Sequence, residues 1–158
     1  MTRAVIALGA NLGDARAALS GAISALRSTA GVEVLAESSV YSTAPIGGVE
    51  QPDYLNSVVL VESSLTPREL LDRMHEIENT WHRTREVRWG PRTLDLDLIE
   101  YQGVTSDDPE LTLPHPRAHE RAFVLVPWLE ADPEAELTGF GPVAGLVPTL
   151  GDQGITIA

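Results

Sequence analysis

Asp95 and Asp97 alternate with Leu94, Leu96 and Leu98, and just upstream Arg83, Arg85, Arg88 and Arg92 crowd the stretch His82–Arg92 against a single acid, Glu86. On an extended strand successive side chains leave opposite faces. The two aspartates therefore emerge together, roughly 6.5–7 Å apart along the chain, while the leucines point into a core. Short paired carboxylates suit a hard cation such as Mg²⁺ that keeps several waters, and guanidinium forks suit phosphoryl oxygens. Side by side, they describe a site for a metal–polyphosphate complex. Each half alone has a plainer explanation, since exposed acids on a half-buried strand and solvated basic loops are both common; adjacency separates the readings.

Other chemistry is thinner. His115 is held between Pro114 and Pro116 and reads as phosphate-facing, with an ordinary turn histidine as the alternative. His115 and His119 have a zinc-compatible spacing, but Pro116 lies between them and no third ligand follows, so zinc is not expected. No serine-nucleophile motif or triad pattern is present.

The chain has 158 residues, a formal net charge of −12 and no cysteine. That length fits one domain, and the absence of cysteine excludes disulfides, thiol nucleophiles and cysteine-ligated metal. All eleven basic residues are arginine. Phosphate-loop and Schiff-base lysines are thus excluded, and any phosphate must be held by guanidinium groups, backbone amides and metal. The acidic surface argues against nucleic acid and anionic membrane as partners. With no membrane-length apolar run and no signal peptide pattern, a cytoplasmic location is expected.

Elements to position these groups follow from periodicity. Residues 4–8 read as a buried strand ending at Gly9, and Gly9–Asp14 as a turn. Leu19, Ile23 and Leu26 define a helix over 15–29. The alternation from Val32 to Tyr41 predicts one strand, residues 42–53 a long loop, and Tyr54–Glu62 another strand. Thr66-Pro67-Arg68-Glu69 is a capping box that opens a helix to about residue 81. The strand 93–101 follows. This order predicts an α+β, ferredoxin-like βαββαβ core with an antiparallel sheet, its helices on one face, and an appended C-terminal strand and helices. A short strand at 111–113, a helix over about 117–126, and a further helical turn from Pro127 to Asp132-Pro133 are expected. The tail from about residue 135, rich in glycine and proline, is expected to pack loosely on a single domain spanning 1–158.

Taken together, Arg88–Ile99, Gly9–Gly13, Tyr41–Gly47, Gln51–Asn56, Leu113–Pro116 and Arg121–Phe123 resemble the 6-hydroxymethyl-7,8-dihydropterin pyrophosphokinase family in residue type, order and spacing, up to about residue 133. The resemblance implies transfer of pyrophosphate from ATP to the pterin hydroxymethyl group in folate biosynthesis, with release of AMP. It implies that Asp95 and Asp97 ligate two Mg²⁺ ions, with Arg83 and Arg92 counted beside them as catalytic. Arg83, Arg85, Arg92, His115 and Arg121 would hold ATP phosphates, Trp89 would close over the site, and the backbone near Leu98 and Thr112, with His75 nearby, would meet adenine. Thr43, Pro45, Tyr54, Asn56 and Phe123 would form the pterin pocket, with Trp89 also against substrate. Glu110 departs from the pattern, standing where relatives often carry arginine.

Small-molecule partners and a monomer are the expectation. Two other readings stay open on the residues alone: a ferredoxin-like binding module without turnover, and a Mg²⁺-dependent phosphohydrolase or nucleotidyltransferase. The loops 44–53 and 82–92, rich in glycine, proline and arginine, are expected to act as lids.

Overall fold

The computed structural model describes residues 1–11, 14–43, 53–81 and 94–158. In chain order the main elements are β1 (Thr2–Ala10), α1 (Ala15–Arg27), β2 (Val32–Glu37), β3 (Tyr41–Thr43), β4 (Tyr54–Ser63), α2 (Pro67–Trp81) and β5 (Asp95–Tyr101). Then follow β6 (Ser106–Asp108), β7 (Leu111–Leu113), α3 (Ala122–Ala131), β8 (Glu136–Leu137), β9 (Gly141–Pro142), α4 (Val143–Leu146) and β10 (Ile155–Ile157). One antiparallel sheet runs β10–β3–β4–β1–β5, with β2 also on β4. The order β2/β3–β4–β1–β5, with α1 and α2 as crossovers, is the ferredoxin-like arrangement expected from the sequence.

The helices start where capping chemistry says they should. Asp14 Oδ1 accepts from the Ala17 N–H at 3.0 Å, and at α2 the Glu69 N–H reaches Thr66 Oγ1 while the Thr66 N–H reaches Glu69 Oε1. Leu19, Leu26, Leu70, Met74 and Ile77 pack with Ile6, Leu8, Leu96 and Leu98 into a core on one sheet face. Gly21 is needed in the middle of α1, because a Cβ there would stand 2.5 Å from the Trp81 ring.

The opposite face carries a second core. Val5, Ala7, Val58, Leu60 and Ile99 meet Val124, Leu125 and Trp128 of α3. Two differences from the sequence reading arise here. The helix expected over 117–126 is a single 3-10 turn, Ala118–Glu120, followed by α3, which runs straight through Pro127. The hydrogen bond that Pro127 cannot donate is offset by burial of Trp128, which is 2% exposed. The tail is also not loose from residue 135. Ala135, Leu137 and Val143 are buried in this second core, and β10 extends the sheet along β3. Apolar residues spaced among glycines and prolines give no periodic signal, so this anchoring was invisible to pattern reading.

Two irregularities shape the sheet. The strand expected from 32 to 41 is broken at residues 38–40, where Ser38 Oγ accepts from the Val58 N–H and the Ser39 N–H turns away to the Glu130 carboxylate. In β5 a bulge falls between the pairs Val5–Glu100 and Ile6–Leu98, leaving Ile99 unpaired in the register.

Candidate active site

β1 contributes small residues where its neighbours contribute functional ones. Across it, Gly9 pairs with Asp95 on one side and Asn56 on the other, and Ala7 pairs with Asp97 and Val58. These residues lie on the face that α3 covers only in part. The uncovered portion is a cleft of about 860 Å³ with Ala7 and Gly9 in its floor. The strand does not end at Gly9, as its sequence suggests, but continues to Ala10. Glycine gives the floor its depth, since a Cβ at Gly9 would approach Asn56 Oδ1 to 3.1 Å.

One wall is β5. Asp95 and Asp97 are half-buried and line the cleft, while Leu94, Leu96 and Leu98 are buried on the other face, as the alternation predicted. Glu78 of α2 accepts the Leu96 N–H at 2.8 Å. The opposite wall is β3 and β4: Asn56 is 5% exposed and its amide donates to Thr43 Oγ1 at 2.7 Å, with Tyr54 beside them. The third wall is the start of α3. Arg121 lies over the Phe123 ring at 5.4 Å, and both side chains line the cleft.

His115 joins the carboxylate wall through its backbone, whose N–H donates to Ile99 O at 2.8 Å. Burial lowers the His115 pKa below the usual histidine value; Asp97 opposes the shift, and Arg121 and Arg117 add to it. The ring is therefore neutral near pH 7. Its Nδ1 accepts from the Arg117 N–H at 3.2 Å, so Nε2 carries the proton and is a donor suited to an anionic oxygen.

The cleft thus brings together Thr43, Tyr54, Asn56, Asp95, Asp97, Arg121 and Phe123 of the residues expected from the sequence, with His115 at its edge. His75, Leu98 and Thr112 are not in it. His75 is exposed on α2, the Leu98 side chain is in the first core, and Thr112 lies in β7 with its hydroxyl on Asp108 O. These three belong to the neighbouring junction where α2, β5 and β7 meet. Glu110 pairs with Arg68 of α2 at 2.6 Å across the same junction. Pro45, Arg83, Arg85, Arg88, Trp89 and Arg92, and with them nearly all of both expected lids, lie outside the described residues.

Sequence reasoning missed Gly9, Arg117, Glu120, Asp152 and Gln153, all of which line the cleft. Gly9 reads locally as the start of a turn, and Asp152 and Gln153 stand in the tail, where only the fold brings them to the cleft. Among the described residues no group of three His, Cys, Asp or Glu could enclose a metal. Two half-buried carboxylates opening into a cleft instead suit Mg²⁺, which takes one or two protein carboxylates and leaves its remaining positions to water and phosphate oxygens.

Known proteins resemble this chain in sequence and in fold. The sequence model described as 7,8-dihydro-6-hydroxymethylpterin-pyrophosphokinase (HPPK) matches residues 5–133. A 2-amino-4-hydroxy-6-hydroxymethyldihydropteridine pyrophosphokinase from Methylorubrum extorquens is 45% identical over 139 residues, 88% of each chain. One from Mycobacterium tuberculosis is 45% identical over 163 aligned positions, covering 95% of this chain and 85% of its own. Among solved structures, Plasmodium falciparum HPPK-DHPS with pteroate superposes with a TM-score of 0.72 at 13% identity, over 94% of this chain. This chain spans 42% of that longer one, and at this identity the likeness concerns the fold.

Proposed function

The chain belongs to the 7,8-dihydro-6-hydroxymethylpterin-pyrophosphokinase family, and from that premise we propose that it transfers pyrophosphate from ATP to the hydroxymethyl group of 6-hydroxymethyl-7,8-dihydropterin in folate biosynthesis. The hydroxymethyl oxygen attacks the β-phosphorus, the bond from that phosphorus to the α,β-bridging oxygen breaks, AMP leaves, and the hydroxyl proton is lost. The observation that carries this reading is one cleft with a carboxylate pair on one wall and a buried amide beside an aromatic ring on the others.

Asn56 is already oriented by Thr43, so its amide is set to read the polar edge of a flat heterocycle without reorganising. Phe123 offers a face for stacking, and Tyr54 closes the rim. Arg121 and the Nε2–H of His115 face phosphoryl oxygens, with Arg83, Arg85 and Arg92 proposed to complete that set and Trp89 and Pro45 to enclose the substrates. Adenine is proposed to lie at the α2–β5–β7 junction, against the backbone of Leu98 and Thr112 and beside His75. Asp95 and Asp97 would hold Mg²⁺, which supplies charge neutralisation on the polyphosphate and a lowered pKa for the attacking hydroxyl. If a protein group takes the proton, Asp97 is the one we assign.

The test is a chromatographic assay with ATP, Mg²⁺ and the pterin. AMP and pterin diphosphate should form in equal amounts and vanish when Mg²⁺ is withheld. Release of free phosphate or pyrophosphate instead would replace transfer by hydrolysis, and binding of both substrates without AMP would leave a module without turnover.

A further inference from the structure

The start of α3 has no cap of its own. Its N-cap residue, Arg121, makes no side-chain capping bond, yet the first N–H groups of a helix need partners. Gln153, from the tail, supplies one. Its Oε1 accepts from the Ala122 N–H at 2.9 Å and its Nε2 donates to Glu120 O at 2.9 Å. Arg121 between them is extended, with φ −111° and ψ 110°. In an extended residue the preceding C=O and the following N–H face the same way, so one carboxamide fits both as a strand partner would. The Gln153 side chain therefore fixes the backbone on both sides of Arg121.

The same segment is tied to the facing wall. Asp152 Oδ1 accepts from the Gly154 N–H, Gly154 adopts φ +71°, and the chain turns into β10. There Ile155 pairs with Thr43, whose hydroxyl holds the Asn56 amide. The span Gln153–Ile155 thus joins the wall bearing Arg121 and Phe123 to the wall bearing Thr43 and Asn56. It lies beyond residues 5–133, the part that matches the family.

We infer that Gln153 is a positioning residue for the pterin pocket: it holds the start of α3 so that Phe123 and Arg121 meet substrate at a fixed distance from Asn56. This rests on the proposed function, whose pterin it uses. Without the clamp, the first turn of α3 must be ordered by the ligand itself, so binding weakens.

The experiment uses the full chain, with pterin binding followed by fluorescence titration and turnover measured in parallel. Gln153→Ala should bind the pterin about five- to tenfold more weakly, within the range of a lost helix cap. Its pterin KM should rise by a similar factor and its kcat change less, because saturating pterin restores the ordered turn. Gln153→Glu can still accept from the Ala122 N–H but cannot donate to Glu120 O, and it should recover part of the loss. Amide exchange at Ala122 and Phe123 should quicken in Gln153→Ala, with the melting temperature lowered by only about 2–4 °C, the size expected for one lost cap. Parent-like pterin affinity in Gln153→Ala would overturn the assignment and leave the proposed function intact, and so would equal damage to stability and to every ligand, which marks a structural role. A parent chain that does not bind the pterin at all would overturn the proposed function and this assignment with it.

Discussion

Glu78 on α2 accepts a hydrogen bond at 2.8 Å from the backbone of Leu96, the residue between Asp95 and Asp97. Among the described residues β5 is the last strand of the sheet on that side, and its outward N–H at this point is satisfied by a side chain. The carboxylate thereby fixes the strand edge that carries both acids. Glu78→Ala should cost about 1–2 kcal/mol in denaturant unfolding, the lower part of the range for a charged acceptor because the group is half-buried. Turnover should fall about tenfold through lost alignment. Glu78→Gln keeps an acceptor and should recover part of both; equal loss in the two variants would show that the charge, not the hydrogen bond, matters.

Gly9 stands directly across from Asn56 on the neighbouring strand, and a methyl group there would come within 3.1 Å of its Oδ1. Asn56 cannot yield freely, being buried and bonded to Thr43. Gly9→Ala should weaken pterin binding about tenfold, in line with modest overpacking, and leave ATP binding near the parent value. Separate titrations with the two substrates check this. Uniform loss of both would mean the substitution disturbs β1 as a whole.

Asp97→Asn preserves size and removes one of two like charges on a strand face. Turnover should drop at least about a hundredfold, as expected when a group stabilising transition-state charge is lost. Stability of the ligand-free protein should rise slightly. Mg²⁺ should raise the melting temperature of the parent in the presence of a non-hydrolysable ATP analogue, by linkage, and do so much less in the variant. A variant that keeps the full Mg²⁺ response would remove Asp97 from the metal site.

The pair Tyr41–Glu130 gives the fold a pH signature away from the chemistry. Tyr41 is pushed up to about 12 by burial and by its hydrogen bond to Glu130. Burial alone would raise Glu130, but hydrogen bonds from Tyr41 and from the Ser39 hydroxyl and N–H together bring it below the usual value. A lowered carboxylate contributes stability that is present above its unfolded pKa and is lost as pH falls through the folded one. A raised phenol contributes stability that is present below about 10 and is lost as pH climbs toward about 12. Urea midpoints measured from pH 3 to 7 should therefore fall more steeply toward acid in the parent than in Glu130→Gln. Parallel curves would show that the cluster does not contribute.

The parts of the site that lie on regular elements were legible in the sequence. Leucines alternating with Asp95 and Asp97 determine their face, and the capping box at Thr66 and Glu69 begins α2 at the right residue. What escaped was set by contacts distant in sequence. The break between β2 and β3 depends on Ser38 meeting Val58, and the third wall of the cleft depends on Gln153 meeting Ala122. Such pairings leave no period behind. Gly9 misleads for a related reason: glycine signals a turn locally, whereas here it marks a close approach by a side chain from the next strand.

The unpaired Ile99 in β5 has a bearing on how this strand can vary. Asp95 and Tyr101 are six positions apart, so in a regular strand both would face the same way. Yet the aspartate opens into the cleft, and the tyrosine sits in the other core with its hydroxyl on Leu65 O. The extra residue shifts the parity between them, letting one short strand serve two masters on opposite sides. Its length is therefore less constrained than its register: removing Ile99 would leave the two residues five positions apart, on opposite faces of a strand without a bulge, and would cost the second core one buried side chain, so what the extra residue adds is packing against α3.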